Sequence, residues 1–210
     1  MKTIYQTLIL ILLPLMVASQ TVKNADFISP VEDGYASFKV GNQWGFMDET
    51  GERVLDLRND LVAHEVVQNA VDLGVASQMY PVMLEERSII KKNKDGIAHY
   101  GFIDLNGDVV IEPRFLNVSN FKDGYALALE ISEEVLGQNP ALAKRVVNYY
   151  YNLVMIDKSG KVVKYLCGPF PFVYAKEKLK QAPPIVAKDI GEKLIAVRTP
   201  EGKWEVVTFE

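Results

Sequence analysis

The residues of this chain whose types could carry chemistry are few: paired acids, two histidines and one cysteine. Glu85-Glu86 and Glu133-Glu134 are such paired carboxylates. A general acid and a base or nucleophile brought together from them would suit glycoside hydrolysis. Neighbours in sequence diverge in direction, however, and each pair reads as ordinary solvated charge. His64 is followed by Glu65, and the same divergence applies. His99 stands just before Tyr100-Gly101, where a strand or turn surface is its default setting. Cys167 lies in the apolar run 162–167 with no histidine nearby, as a buried small hydrophobe would. Asp104-Leu105-Asn106-Gly107-Asp108, with Glu112 beyond, has the look of a calcium loop. An EF-hand needs Gly at the sixth position and helices on both sides, whereas here Gly is fourth and strands flank it. No HExxH, Cys-x-x-Cys or Gly-x-Ser-x-Gly occurs. These residues predict no catalytic group, no metal and no cofactor.

Aromatic side chains are the other candidates. Trp44, Tyr100 and Trp204 begin strands that read as equivalent, and Tyr35 and Tyr125 follow the glycine that opens the preceding strand. Exposed in a row, they would stack on sugar rings or anchor a peptide. Buried, they would form the core between units, and repeated units must bury a face against their neighbours. The second reading is favoured.

These positions rest on an internal repeat. Asp33-Gly34-Tyr35-Ala36 recurs as Asp123-Gly124-Tyr125-Ala126, and Trp44-Gly45-Phe46-Met47-Asp48 as Tyr100-Gly101-Phe102-Ile103-Asp104. Further copies are read at Leu153-Val154-Met155-Ile156-Asp157 and Trp204-Glu205-Val206-Val207. The leading positions step by 56, 53 and 51 residues. Each copy reads as an antiparallel meander: a strand, a two-residue turn such as Gly41-Asn42, a second strand, a reversal such as Asp48-Glu49-Thr50-Gly51, and a returning strand. Asp opens that reversal because its carboxylate can bond the turn's backbone, and Gly closes it in a left-handed conformation. The fold class expected is mainly β, about four repeated meander or hairpin units near residues 27–57, 79–115, 118–165 and 169–210. The fourth copy is read as residues 194–197, a turn around Pro200-Glu201-Gly202, and a strand over 203–209. It lacks a third strand, which an N-terminal strand near residues 25–29 could supply.

The motifs Glu112-Pro113-Arg114-Phe115 through Phe121-Lys122-Asp123-Gly124-Tyr125-Ala126, together with residues 42–51, resemble those of bacterial WG-repeat proteins. The resemblance covers about two thirds of the chain beyond residue 19. It implies a β-rich interaction module and carries no general activity. Copies two to four depart from it, with Tyr100 for Trp, Leu153-Val154 for Trp-Gly and Glu205 for Gly.

The copies also differ from one another. The turn that is Gly41-Asn42 in copy one reads as an expanded loop over 85–98 in copy two, holding Lys91, Lys92 and Lys94. In copy three it expands over 131–148, holding Glu133 and Glu134. There Asn139 and Pro140 suit a helix cap and first turn, with Leu142, Val146 and Tyr149 on one face of a helix through residue 150. Shorter helices are expected through 64–70 and over 174–181. The two expanded loops would lie on one rim, as a binding surface or as padding of the core.

Composition frames this reading. With 49% apolar residues the chain has material for a large core. An excess of acid, 27 Asp+Glu against 23 Lys+Arg, argues against nucleic acid as a partner. Residues 1–19 read as a signal peptide: Lys2, an apolar run over 7–17, then Val17-Ala18-Ser19 at a cleavage site. No cysteine stands there to carry lipid, and no membrane span is expected after cleavage. The expectation is therefore an exported, non-catalytic module, periplasmic or extracellular, binding another protein or an envelope or extracellular glycan. A hydrolase of cell-wall or dietary polysaccharide, using the acidic pairs, is the alternative.

Overall fold

The computed structural model describes residues 21–64, 72–139, 144–191 and 193–209. Its strands form four antiparallel sheets in chain order. The first holds β1 (Phe27–Ile28), β2 (Tyr35–Val40), β3 (Gln43–Asp48) and β4 (Arg53–Arg58). In the second are β5 (Ser88–Lys94), β6 (Ile97–Ile103) and β7 (Val109–Phe115). The third is built from β8 (Tyr125–Asn139), β9 (Lys144–Asp157) and β10 (Val162–Phe172). The last contains β11 (Ala187–Gly191), β12 (Leu194–Arg198) and β13 (Trp204–Thr208). Each sheet places the middle strand of its meander between its two chain neighbours, as a repeated hairpin unit requires.

The shared reversal works as its residues dictate. Oδ1 of Asp48 accepts from the N–H groups of Thr50 and Glu52, both at 2.9 Å. Asp104 does the same for Asn106 and Asp108, and Asp157 for Ser159 and Lys161. The fourth unit keeps the reversal with Thr199 in place of Asp, closed by the Gly202 N–H to the Thr199 carbonyl at 2.9 Å.

The glycine after the aromatic has a separate cause. Opposite it, β4 and β7 slip register, so the backbone of the third strand crosses directly over the middle strand. A Cβ on Gly45 would stand 2.8 Å from the Leu55 carbonyl oxygen, and one on Gly101 only 2.2 Å from that of Ile111. Only a residue without a side chain fits there.

Successive units are joined by apolar clusters. Phe46, Leu55 and Met83 meet Ile90 and Ile103 between the first and second. Tyr100, Phe102 and Phe115 meet Val154 and Ile156 between the second and third. Leu153 and Met155 meet Ile195 and Val197 between the third and fourth. Two polar devices recur beside them. Arg58 donates to the Gly107 carbonyl at 2.7 Å, and Arg114 to the Gly160 carbonyl at 2.6 Å. Connectors also pair with the next unit: Val62 N–H reaches the Ile89 carbonyl, and Leu116 N–H that of Leu129.

A buried clasp ties three connectors together. Asn117, fully buried, accepts from the Val75 N–H at 2.9 Å and its neighbour Val118 N–H at 2.8 Å. Its amide donates to the Pro183 carbonyl at 2.8 Å. Buried Asp72 accepts from Gly74 and Ile185 N–H groups, each at 2.8 Å.

Several expectations are corrected. The helix expected from residue 139 to 150 is absent: β9 begins at Lys144, and Val146-Val147-Asn148-Tyr149-Tyr150-Tyr151 extends a hairpin with β8. β-branched and aromatic residues in series favour a strand, and that outweighed the Asn139-Pro140 cap signal. Residues 140–143 lie outside the described residues. The region 174–181 forms turns, not a helix, and the Pro169-Phe170-Pro171-Phe172 stretch before it continues β10. For the helix expected through 64–70, residues 65–71 lie outside the described residues; the nearby helical turn is Val75–Ser77. Residues 85–98 are no expanded loop, because β5 and β6 pair from Ser88↔Ile103 to Lys94↔Ile97 across the two-residue turn Asp95-Gly96. The fourth unit does have three strands, and residues 194–197 belong to its middle one. Phe27 and Ile28 pair with β2 in the first sheet, so they do not complete the fourth.

Candidate functional site

One pocket of about 620 Å³ draws on all four units. Its rim is built from two-residue turns that precede β2, β5 and β8, the strands that open the meanders of three of them. Asp33-Gly34, Glu85-Glu86 and Asp123-Gly124 each take positive φ at both residues. In each, the flanking residues bridge: Glu32 with Tyr35, Leu84 with Arg87, Lys122 with Tyr125. Asp-Gly suits this mirror-image turn, since Asp tolerates and Gly favours the left-handed region. Glu85 and Glu86, at φ 51° and 63°, hold it without a glycine.

The turns are hydrogen-bonded to one another. Asp33 Oδ2 accepts from the Glu85 N–H at 2.7 Å, and the Glu85 carboxylate accepts from the Gly124 N–H at 3.0 Å and from Lys158 at 3.2 Å. Across the rim, Lys122 donates to Asp189 on β11. That bond is the main reason the Asp189 carboxyl sits below its ordinary range and the Lys122 ammonium above its own. The Asp123 carboxylate accepts no hydrogen bond among the described residues and interacts with the adjacent Lys122 only through its charge. Leu73, Leu84, Met155, Ile195 and Phe209 supply the apolar lining.

The residues singled out by sequence fall in different places. Tyr100 is 5% exposed inside the cluster between units two and three, and Trp44 packs half-buried at the equivalent position one unit earlier. Tyr35 packs against the first cluster, and Tyr125 against the third. Trp204 breaks the series. It stands on β13, the third strand of its sheet, 46% exposed with the Lys188 ammonium 4.7 Å from its ring centre. Because Thr199 occupies the place of Asp48 in the shared reversal, Ile195 is the residue equivalent to Trp44. The last repeat step is therefore 42 residues, from Leu153 to Ile195.

Lys91, Lys92 and Lys94 are exposed on β5, beside a plain hairpin. Glu133 and Glu134 are exposed on the outer half of β8, where Arg145 and the Tyr150 hydroxyl engage them. Glu133 stands eight residues along β8 from Tyr125, about 26 Å at the rise of a strand, so the two acidic pairs are not brought together. That outer hairpin also exposes Val135 and Leu136, and at its root Tyr149 stacks on Tyr174, and Tyr151 on Phe170.

The titratable groups sit in quiet settings. His99 is buried, with Nδ1 3.2 Å from the Ile97 carbonyl and Nε2 3.2 Å from the Tyr174 hydroxyl. A carbonyl only accepts, so Nδ1 carries the proton, and burial first of all holds the ring's pKa below its ordinary value. Burial pushes the Cys167 thiol up to about 11, and its sulfur faces the Arg198 carbonyl at 3.6 Å. In the calcium-like loop, Asp104 Oδ1 is engaged by its own turn. Among the described residues no group of three His, Cys, Asp or Glu is placed to hold a metal ion, and no helix is long and apolar enough to cross a membrane.

Sequence reasoning passed over the rim residues Asp33 and Asp123 as site candidates. The signal was present in the repeated Asp-Gly pair, which by itself marks only the repeat and the opening of a strand. Asn117 and Asp72 had no signal, since the partners that make them a clasp, Val75, Pro183 and Ile185, lie 42 to 113 residues away.

No curated protein and no solved structure matches the chain. Residues 100–130 match the family model of the WG containing repeat. The matched stretch holds Tyr100-Gly101, the bulged strand β7 and the Asp123-Gly124 rim turn, the features that set both the unit and the pocket. That segment carries the WG containing repeat, and its neighbouring copies fold as hairpin units of the same kind.

Proposed function

We propose that this chain is a non-catalytic binding module, exported by its N-terminal leader, that holds a segment of a partner protein in the pocket where its four units converge. The observation that supports this reading is the pocket itself. It is about 620 Å³, within the range of sites that enclose a ligand, apolar inside and polar at the rim. It is built from the same turn in successive units, the place where repeat proteins carry recognition. Glu85 and Asp189 in its rim are held by backbone N–H groups and lysines, an arrangement suited to fixing a surface rather than to moving protons.

The test uses the chain without residues 1–19, immobilised and exposed to envelope and culture-supernatant fractions. The comparison variant is Leu73→Arg, which places a charge on a 39% exposed pocket residue without opening the core. A partner captured by the unaltered chain and lost with Leu73→Arg, at equal melting temperature, is the expected result. Capture indifferent to Leu73→Arg removes the pocket from the reading, and turnover of a polysaccharide by the chain would overturn the non-catalytic assignment.

A further inference from the structure

We infer that the pocket selects a partner segment that is apolar with a cationic side chain at one end, seated between Asp33 and Asp123. The inference rests on the reading of this pocket as a binding site, and adds the chemistry of what it takes. The rim carries Asp33, Glu85, Asp123 and Asp189 against Lys122 and Lys193. Pairing divides these charges unevenly. Lys122 is consumed by Asp189, and Glu85 by Lys158 and the Gly124 N–H. Asp33 uses one oxygen for the Glu85 N–H, and Asp123, though within the field of Lys122, accepts no hydrogen bond and forms no ion pair among the described residues. The two carboxylates with capacity to spare therefore belong to equivalent turns of units one and three.

They flank Glu85, which is hydrogen-bonded to both turns. The remaining cation of the rim, Lys193, is on the fourth unit. Spare acid therefore lies on the turns of units one and three, beside the apolar lining. A lysine or arginine amid apolar residues matches that order. An acidic segment meets unpaired carboxylates, and like charges brought together lower affinity. The volume also favours a peptide over a small amine, because apolar side chains from separate units, Leu84, Met155 and Phe209 among them, line about 620 Å³.

The probes are three unlabelled peptides, acetyl-Lys-Leu-Phe-Leu-amide and its counterparts with Gln or Glu in place of Lys, titrated calorimetrically into the chain lacking residues 1–19. The Lys peptide is expected to bind at least about fivefold tighter than the Gln peptide in 50 mM salt, and the Glu peptide more weakly than either. That advantage should shrink in 500 mM salt, where charges more than a few ångströms apart are screened. The double variant Asp33→Asn/Asp123→Asn should erase the Lys preference while leaving apolar binding and melting temperature unchanged. Asn retains an acceptor for the Glu85 N–H and tolerates the left-handed φ of 50° and 53° at these positions. Equal binding of the Lys and Gln peptides, no binding of any, or a preference that survives the double variant would each overturn the charge assignment. Partner capture that remains sensitive to Leu73→Arg would then show that the pocket binds but reads something other than a cation.

Discussion

Replacing Asn117 by Ala tests whether the buried clasp holds the connectors together. The side chain makes three hydrogen bonds of 2.8 to 2.9 Å, and no part of it is exposed. Ala leaves the Val75 and Val118 N–H groups and the Pro183 carbonyl without these partners in the interior. An orphaned buried group costs about 1 to 3 kcal/mol, and water entering the vacated space offsets part of it, so the expected loss is about 4 kcal/mol. For a domain of this size that corresponds to a fall of about 8 to 16 °C in melting temperature. Urea unfolding followed by circular dichroism measures the free energy, and calorimetry the temperature. Asn117→Asp sharpens the comparison. It keeps the acceptor for the two N–H groups but turns a carboxylate oxygen toward the Pro183 carbonyl, so it should be destabilised at neutral pH as well. A loss below about 1 kcal/mol for Asn117→Ala would refute the clasp, because it would place the three backbone groups within reach of other partners.

Gly101→Ala should be destabilising by about 3 kcal/mol in the same assay, since the added Cβ meets the backbone of β7 at 2.2 Å and no flexible side chain can yield; tolerance would contradict the crossing of strands described for the unit. Tyr100→Ala should be destabilising by about 3 to 4 kcal/mol, whereas Trp204→Ser should change stability by less than about 1 kcal/mol, and the reverse order would restore Trp204 to the core. His99 has a folded-state pKa below its ordinary value, so its contribution is complete above about pH 6.5 and is lost as pH falls through the depressed value. Melting temperature should therefore drop between pH 7 and pH 5, with a shallower slope in His99→Asn; identical slopes would reject the assignment. The Cys167 thiol, with a pKa pushed up to about 11, should react with Ellman's reagent at neutral pH only as fast as the protein unfolds, and rapid labelling of the folded chain would contradict its burial.

Much of the unit was legible because its determinants are local. Asp48 and Gly51, or Asp104 and Gly107, sit three residues apart and make a turn whose hydrogen bonds close within five residues. The repeat of that turn announced hairpins before any sheet was known. Errors arose where a local signal competed with a distant one. Asn139-Pro140 is a sound helix start in isolation, yet pairing with β8 from Ser132 to Val135 decides the conformation of residues 147–150. Trp204 was aligned by residue type, an aromatic followed by an aliphatic strand, whereas the correct alignment runs through Thr199, which replaces Asp by another side-chain acceptor. The pocket was not legible because its parts are turns of separate units, and only their convergence gives the rim its charge and its apolar lining.

The arginine contacts between units have a consequence for how such an array can lengthen. Unit two is the one that both receives and gives: Gly107 takes the hydrogen bond of Arg58, and Arg114 supplies the next to Gly160. The same glycines also receive a neighbour's aliphatic side chain, Leu55 over Gly107 and Ile111 over Gly160. A duplicated second unit would thus present matching surfaces to both neighbours, and an extra 56-residue step could be spliced in without designing a new interface. The junction of the third and fourth units is built differently. β10 contains no arginine, the following step contracts to 42 residues, and Ile195 and Val197 pack with Leu153 and Met155 of the third unit. The second unit is therefore the one whose duplication would need no change at either junction.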